Sequence, residues 1–179
     1  MPVFDLRYEL LREHSKAQCL RIVEWVGDDQ KRFDELFHIF LTGLYREVQH
    51  AAWPISYCVI DHPQLINKHW AKLVKNLHAP NIHDAVKRNT MRLLQDIAIP
   101  EKYEGEIMDI AFKYVASPNE AVAVKVFSLT VLGNLAKKYP EIIPEFILLI
   151  EAQLPHQSAA FRSRAKKLLT AFSKKKDYP

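Results

Sequence analysis

Glycine is scarce in this sequence, with four residues (Gly27, Gly43, Gly105 and Gly133) in a chain of 179. That is too little turn material for a many-stranded sheet, and no two glycines lie close enough to form a phosphate-cradling loop. Cysteine is scarcer. Cys19 and Cys58 have no paired spacing, so no metal motif is available to them, and both read as small core residues in a reducing compartment. No apolar run approaches the roughly 20 residues of a membrane span. Residues 1–11 carry Asp5 and Glu9 and lack the apolar centre of a signal peptide. The expectation is a cytoplasmic protein without a membrane partner. None of the eight histidines stands four residues from another, the spacing that would put two imidazoles on one helix face as metal ligands. No serine sits in a nucleophile elbow and neither cysteine has an obvious base nearby in sequence. The sequence therefore leads us to expect no catalytic residue, no cofactor, no metal and no small-molecule substrate.

What the chain does have is proline at regular intervals. Pro63, Pro80, Pro100, Pro118, Pro140 and Pro155 separate segments of fifteen to twenty-two residues, each with apolar residues at helical spacing. Asn81, Asn119 and Ser158 follow three of these prolines and are expected as helix caps. Alternate segments align without gaps from Ser15, Val48, Val86, Val124 and Phe161, at separations of 33, 38, 38 and 37 residues. In this register the second slot is long and polar: Lys16, Gln49, Lys87, Lys125, Arg162. The fifth is small in every copy (Cys19, Ala52, Thr90, Ser128, Ala165), and the eighth is aliphatic (Ile22, Ile55, Leu93, Val131, Leu168). The twelfth is large and apolar (Val26, Val59, Ile97, Leu135, Phe172). Slots one, five, eight and twelve share a helix face, and a small fifth residue lets a partner helix approach closely.

The Val-Lys-x-x-Thr-x-x-Leu-Leu run at 86–94, echoed at Val124-Lys125 and at Phe161-Arg162-Ser163-Arg164-Ala165, resembles the HEAT repeat, with its Val-Arg-x-x-Ala followed by leucines. The likeness covers residues 15–172, at a period suited to that architecture. It implies an all-α, right-handed α-solenoid of about four and a half HEAT-like helix pairs. The whole of 1–179 would form one domain, with residues 1–14 as an N-terminal cap and 173–179 as a basic, frayed tail. Intervening helices are expected at 30–42, 64–78, 101–116 and 141–154, a short capping helix at 4–13, and a kink where Pro54 falls inside its helix. The function it implies is a non-catalytic scaffold that binds another protein, or a second copy of itself, along a long exposed face.

Three surface features are candidate binding sites. Lys68, Lys72 and Lys75 form a basic stripe on the inner helix of the second pair, which the resemblance places on the concave side. An acidic partner is the functional account of this stripe and a solvated face the plainer one. Val122, Val126 and Leu129, continued by Gly133, form an apolar stripe where neighbouring copies are mostly polar (Asp84, Arg88, Met91, Gln95; Ala159, Ser163, Lys166, Thr170). This is either a buried seam or an exposed patch for a partner. Third, Arg162, Arg164, Lys166 and Lys167 open a basic C-terminus. From Arg162 onward the charge is +6, while the rest of the chain is −2, so the +4 total is local. Nucleic acid is accordingly the less favoured partner. Its best case is a similarity to HEAT-like alkyl-base glycosylases, which would use Trp25, Trp53 and Trp70 with Asp61 or Asp96, although core packing is the plainer role for those tryptophans.

Overall fold

A computed structural model describes residues 4–173. Among these residues the chain forms ten α-helices and three short 3-10 turns, and no strand. The helices are α1 (Leu6–Arg12), α2 (Lys16–Val26), α3 (Gln30–Thr42), α4 (Tyr45–Asp61), α5 (Trp70–Asn76), α6 (Asp84–Leu94), α7 (Glu101–Ala116), α8 (Val122–Lys138), α9 (Ile143–Gln153) and α10 (Ala159–Ser173). No helix among the described residues is long and apolar enough to cross a membrane. The chain divides into two compact units, Met1–Ala98 and Ile99–Pro179.

In the first unit α4 is the centre, with α1, α2, α3 and α6 packed against it. The small slot explains how neighbours come so close: Cys19, Ala52 and Thr90 are all buried, with Ile22, Ile55 and Leu93 buried beside them. Burial also pushes both thiols up to about 12, which leaves Cys19 and Cys58 as protonated packing groups at neutral pH. The capping helix is tied down by charge. Arg7 of α1 meets Glu47 of α4 at 2.5 Å, and Gln18 of α2 donates to the Glu9 backbone carbonyl and carboxylate, both at 2.7 Å. Glu47 also accepts the Leu44 N–H at 2.7 Å, which caps α4 where Leu44 has no side-chain acceptor of its own. Helix α4 continues as one element through Pro54.

In the second unit α8 lies against α7 and α10, and α9 against α7 and α10. Ser128 and Ala165, the small slots of this unit, are fully buried. A Cβ on Gly133 would stand 2.5 Å from Leu168 Cδ2, so the glycine leaves the space on α8 that the Leu168 side chain of α10 fills. Glu104 of α7 accepts from Lys138 at 2.6 Å and from the Tyr139 hydroxyl at 2.5 Å, joining α7 to the end of α8. Burial works to raise the Glu104 pKa, but these hydrogen bonds outweigh it and hold the carboxyl below its ordinary value.

Two expectations about helix ends are corrected. Asn81 and Asn119 do not cap helices: α6 begins later, capped by His83, whose ring nitrogen accepts the Ala85 N–H at 2.9 Å, and α8 begins after Ala121. Asn81 instead takes a left-handed conformation (φ 56°) in the turn after Pro80, which asparagine tolerates better than most residues. Ser158 does accept the Phe161 N–H, at 3.3 Å, in front of α10.

The helices expected at 64–78 and 141–154 are also shorter and interrupted. The first divides into a 3-10 turn, Pro63–Ile66, and α5. The Gln30 side chain donates to the Leu65 carbonyl at 3.0 Å, and the His69 N–H bonds to Ile66 at 2.8 Å, one residue short of the α-helical partner. The second begins as a 3-10 turn, Pro140–Ile142, because Pro144 has no N–H with which to close an α turn back to Pro140. The basic tail expected after Ser173 lies outside the described residues.

Candidate partner-binding groove

Helix α3 meets the segment leading into α5 through Gln30, Phe33, Asp34 and Phe37, and beyond these contacts the two leave open space between them. A cavity of about 390 Å³ opens between Asp34, Phe37 and Leu41 of α3 and Lys68, His69 and Lys72 opposite. A second, of about 640 Å³, adjoins it through the shared walls Leu41 and Lys72 and runs on past Lys75 to Ala79 and Pro80. A third, of about 190 Å³, shares Leu41, Asn76 and Ala79 with the second. Together they form a single groove inside the first unit, with Leu41 common to all three parts.

One end of the groove is electrostatically settled. Asp34 accepts from Lys68 at 2.5 Å, from His69 Nε2 at 2.7 Å and from Gln30 at 3.0 Å. Burial pushes the Asp34 carboxyl up, but these three hydrogen bonds and the Lys68 charge prevail and bring it to about 2. The His69 ring is buried against Phe37, 4.3 Å between centroids, and tilts towards Phe33. Lys68 is thus engaged within the fold.

The middle of the groove differs. Lys72 and Lys75 are exposed on α5, and neither has a carboxylate partner among the described residues. Two cations therefore stand free beside Leu41, Ala79 and Pro80. Such a site offers charge at the rim and apolar area below it, the usual division of labour in protein recognition.

The apolar stripe of α8 fares otherwise. Leu129 has 0% of its surface exposed, Val126 is half-buried, and Gly133 lies under Leu168, so only Val122, at 44%, is open. The stripe follows the first of its two accounts, a packing seam, over most of its length. The physical reason is that α8 has α7 on one side and α10 on the other, so most of its circumference needs apolar partners.

The basic residues of α10 are dispersed as well. Arg164 donates to Thr130 of α8 at 2.8 Å, and Arg162 donates to the Gln157 carbonyl at 2.7 Å. Lys166 and Lys167 alone are exposed without such ties. Of the tryptophans, Trp70 is buried in the core, while Trp25 is stacked on Phe4 at 4.5 Å with Arg32 5.4 Å from its ring. Trp53 is half-buried beside His14. All three take packing positions.

The profile of the HEAT repeat domain matches residues 6–172. The chain belongs to the HEAT repeat family. No curated protein and no solved structure gives a match. The family supports the all-α repeat fold and a general role as a scaffold for protein interactions, typically without catalysis. Within this HEAT repeat protein, sequence reasoning found the lysines of the groove and missed Asp34, Phe37, Leu41 and His69. Asp34 and His69 are 35 residues apart, so no local pattern announces their pairing. The repeated i, i+4 spacing of Phe33, Phe37 and Leu41 was the one available signal for the floor.

Proposed function

We propose that this HEAT repeat protein is a non-catalytic interaction module that binds an acidic segment of another protein in the groove between α3 and α5. It would act in the cytoplasm, where its two buried thiols stay reduced. The observation that carries the reading is the pair of unpaired lysines, Lys72 and Lys75, above an open apolar floor. Removing rim charges chiefly slows association and weakens its salt dependence, whereas an exposed lysine that merely stays hydrated affects neither.

The test is a photo-reactive amino acid at Leu41, introduced into the full chain in its own cells. Protein adducts that disappear on Lys72→Glu/Lys75→Glu are expected. Adducts to nucleic acid, or protein adducts indifferent to the charge reversal, would overturn it. A DNA titration completes the comparison: affinity falling steeply with salt would favour the nucleic-acid reading, and no binding near physiological salt favours a protein partner.

A further inference from the structure

The three parts of the groove are not alike, and their order along it carries information about what could lie there. The 390 Å³ part ends in Asp34, whose carboxylate is taken up by Lys68, His69 and Gln30, so the pair leaves no free cation there for an incoming carboxylate. The 640 Å³ part carries Lys72 and Lys75. The 190 Å³ part, at the far end, is walled by Phe40, Leu41, Val48, Ile82 and Val86 and holds no acid or lysine. For scale, a dry apolar cavity of about 150 Å³ admits benzene. The far pocket therefore has room for one large apolar side chain and little else.

Its rim is held in place. The His83 ring is fixed because its Nδ1 caps α6 at 2.9 Å, and Tyr45 rests against that ring, 4.6 Å between centroids, although 72% of Tyr45 is exposed. An exposed aromatic braced on a helix cap is a ready-made wall, and ordering a wall in advance removes part of the entropic cost of binding. Binding energy at protein interfaces concentrates where an aromatic or aliphatic anchor fills such a pocket, with charges around it setting orientation.

We infer that the 190 Å³ cavity beside Tyr45 and His83 is an anchor pocket for a single large apolar side chain, leucine or an aromatic, on the same acidic segment whose carboxylates meet Lys72 and Lys75. The occupant is a peptide segment with two features in a fixed order: acids over α5 and an apolar residue beyond them towards the start of α4 and α6. The Asp34 end, whose only neighbouring lysine at that pocket besides Lys72 is already paired, offers the segment no further free cation, and that sets the direction. This inference rests on the groove reading above, and its failure is separable from the failure of that reading.

The experiment uses the full chain and a displayed library of random twelve-residue peptides. Selection on the unaltered protein is expected to enrich peptides that combine Asp or Glu with a large apolar residue at a constant offset. The strongest of these, made synthetically, should lose at least tenfold in affinity on Lys72→Glu/Lys75→Glu and a similar factor on Ala79→Phe, which intrudes on the far pocket. Replacing the peptide's apolar residue by alanine should cost as much against the unaltered protein and add nothing further against Ala79→Phe. That peptide substitution keeps the question answerable if Ala79→Phe does not fold. Acidic peptides that respond to the charge reversal but not to loss of the apolar residue would overturn the anchor pocket and leave the groove standing. No enrichment, or enrichment indifferent to Lys72 and Lys75, would overturn both.

Discussion

Helix α5 is seven residues long, buries Trp70, Leu73 and Val74 on one side and holds Lys72 and Lys75 out to solvent. Helix α8 is seventeen residues long and buries side chains round most of its circumference, including Leu129, Val131, Leu132 and Leu135. As sequence patterns both carry a stripe that departs from their neighbours. In the fold, part of the apolar stripe of α8 is absorbed by α10, while the basic stripe of α5 and the turn before it finds one partner for Lys68 and none for the other two lysines. A stripe therefore says which chemistry a helix face carries, and the number of neighbours says whether that face is used for packing. Surface of one sign with no counterion is what remains when packing is complete.

The largest way to break this contrast is Leu129→Asp. A carboxylate at a fully buried position without a partner should cost about 3–5 kcal/mol, read as lost helical signal on heating or in urea. Near-normal stability would mean that the α8 seam is open after all. Next come Ala52→Leu in the first unit and Ala165→Leu in the second, where overpacking a close helix contact should cost about 1–3 kcal/mol each. If both variants melt like the parent, the small slot is not a contact. Smaller again is Arg164→Ala, which removes its hydrogen bond to Thr130 and should cost about 0.5–1.5 kcal/mol in denaturant unfolding. A loss beyond that range would give Arg164 a larger part in the α8–α10 seam than this one bond.

At the groove, pH sharpens the comparison. Asp34 has its pKa depressed to about 2, below the ordinary carboxyl value of about 3.9. Its contribution to stability is thus complete above the ordinary value and is lost as pH falls towards 2. Asp34→Asn should therefore flatten the decline in melting temperature between about pH 4 and 2; an unchanged slope would mean that the Lys68 and His69 contacts do not bind the ionised form. The smallest effect is expected from Lys72→Glu/Lys75→Glu, within about 0.5 kcal/mol of the parent, because neither side chain is engaged. A clear destabilisation there would show that these lysines serve the fold.

Helical periodicity was enough to place α3, and periodicity with Pro100 and Pro118 on either side was enough to place α7, because each carries a continuous apolar face. The small slot was legible because it repeats. Other features depend on groups far apart in the chain. Gln30 takes the Leu65 carbonyl from a distance of 35 residues and so interrupts a helix that local pattern reads as continuous. Arg164 reaches Thr130 across 34 residues, which turns part of an apparently open basic cluster inward. Asn81 has the composition of a cap, but its left-handed backbone depends on the turn it occupies. For the candidate site, the lysines could be read from spacing, whereas the floor and the anchor pocket come from α3, α4 and α6 meeting the α5 segment, which no single window contains.

Helix α4 has α1, α2, α3 and α6 packed on it, and that arrangement bears on how the first unit opens. Its amides can reach solvent only if several neighbours come away together, so they should exchange with deuterium last in this unit, through nearly global opening. Pro54 contributes no amide to that protected set and leaves the His50 carbonyl without its helical donor. The α5 segment lies in the other kinetic class. It is short, preceded by a 3-10 turn and exposed along one side, so its opening is expected to need fewer neighbours to come away than that of α4. Amides of α5 should therefore exchange before those of α4, and a groove built on α5 would have its most adjustable wall on that side.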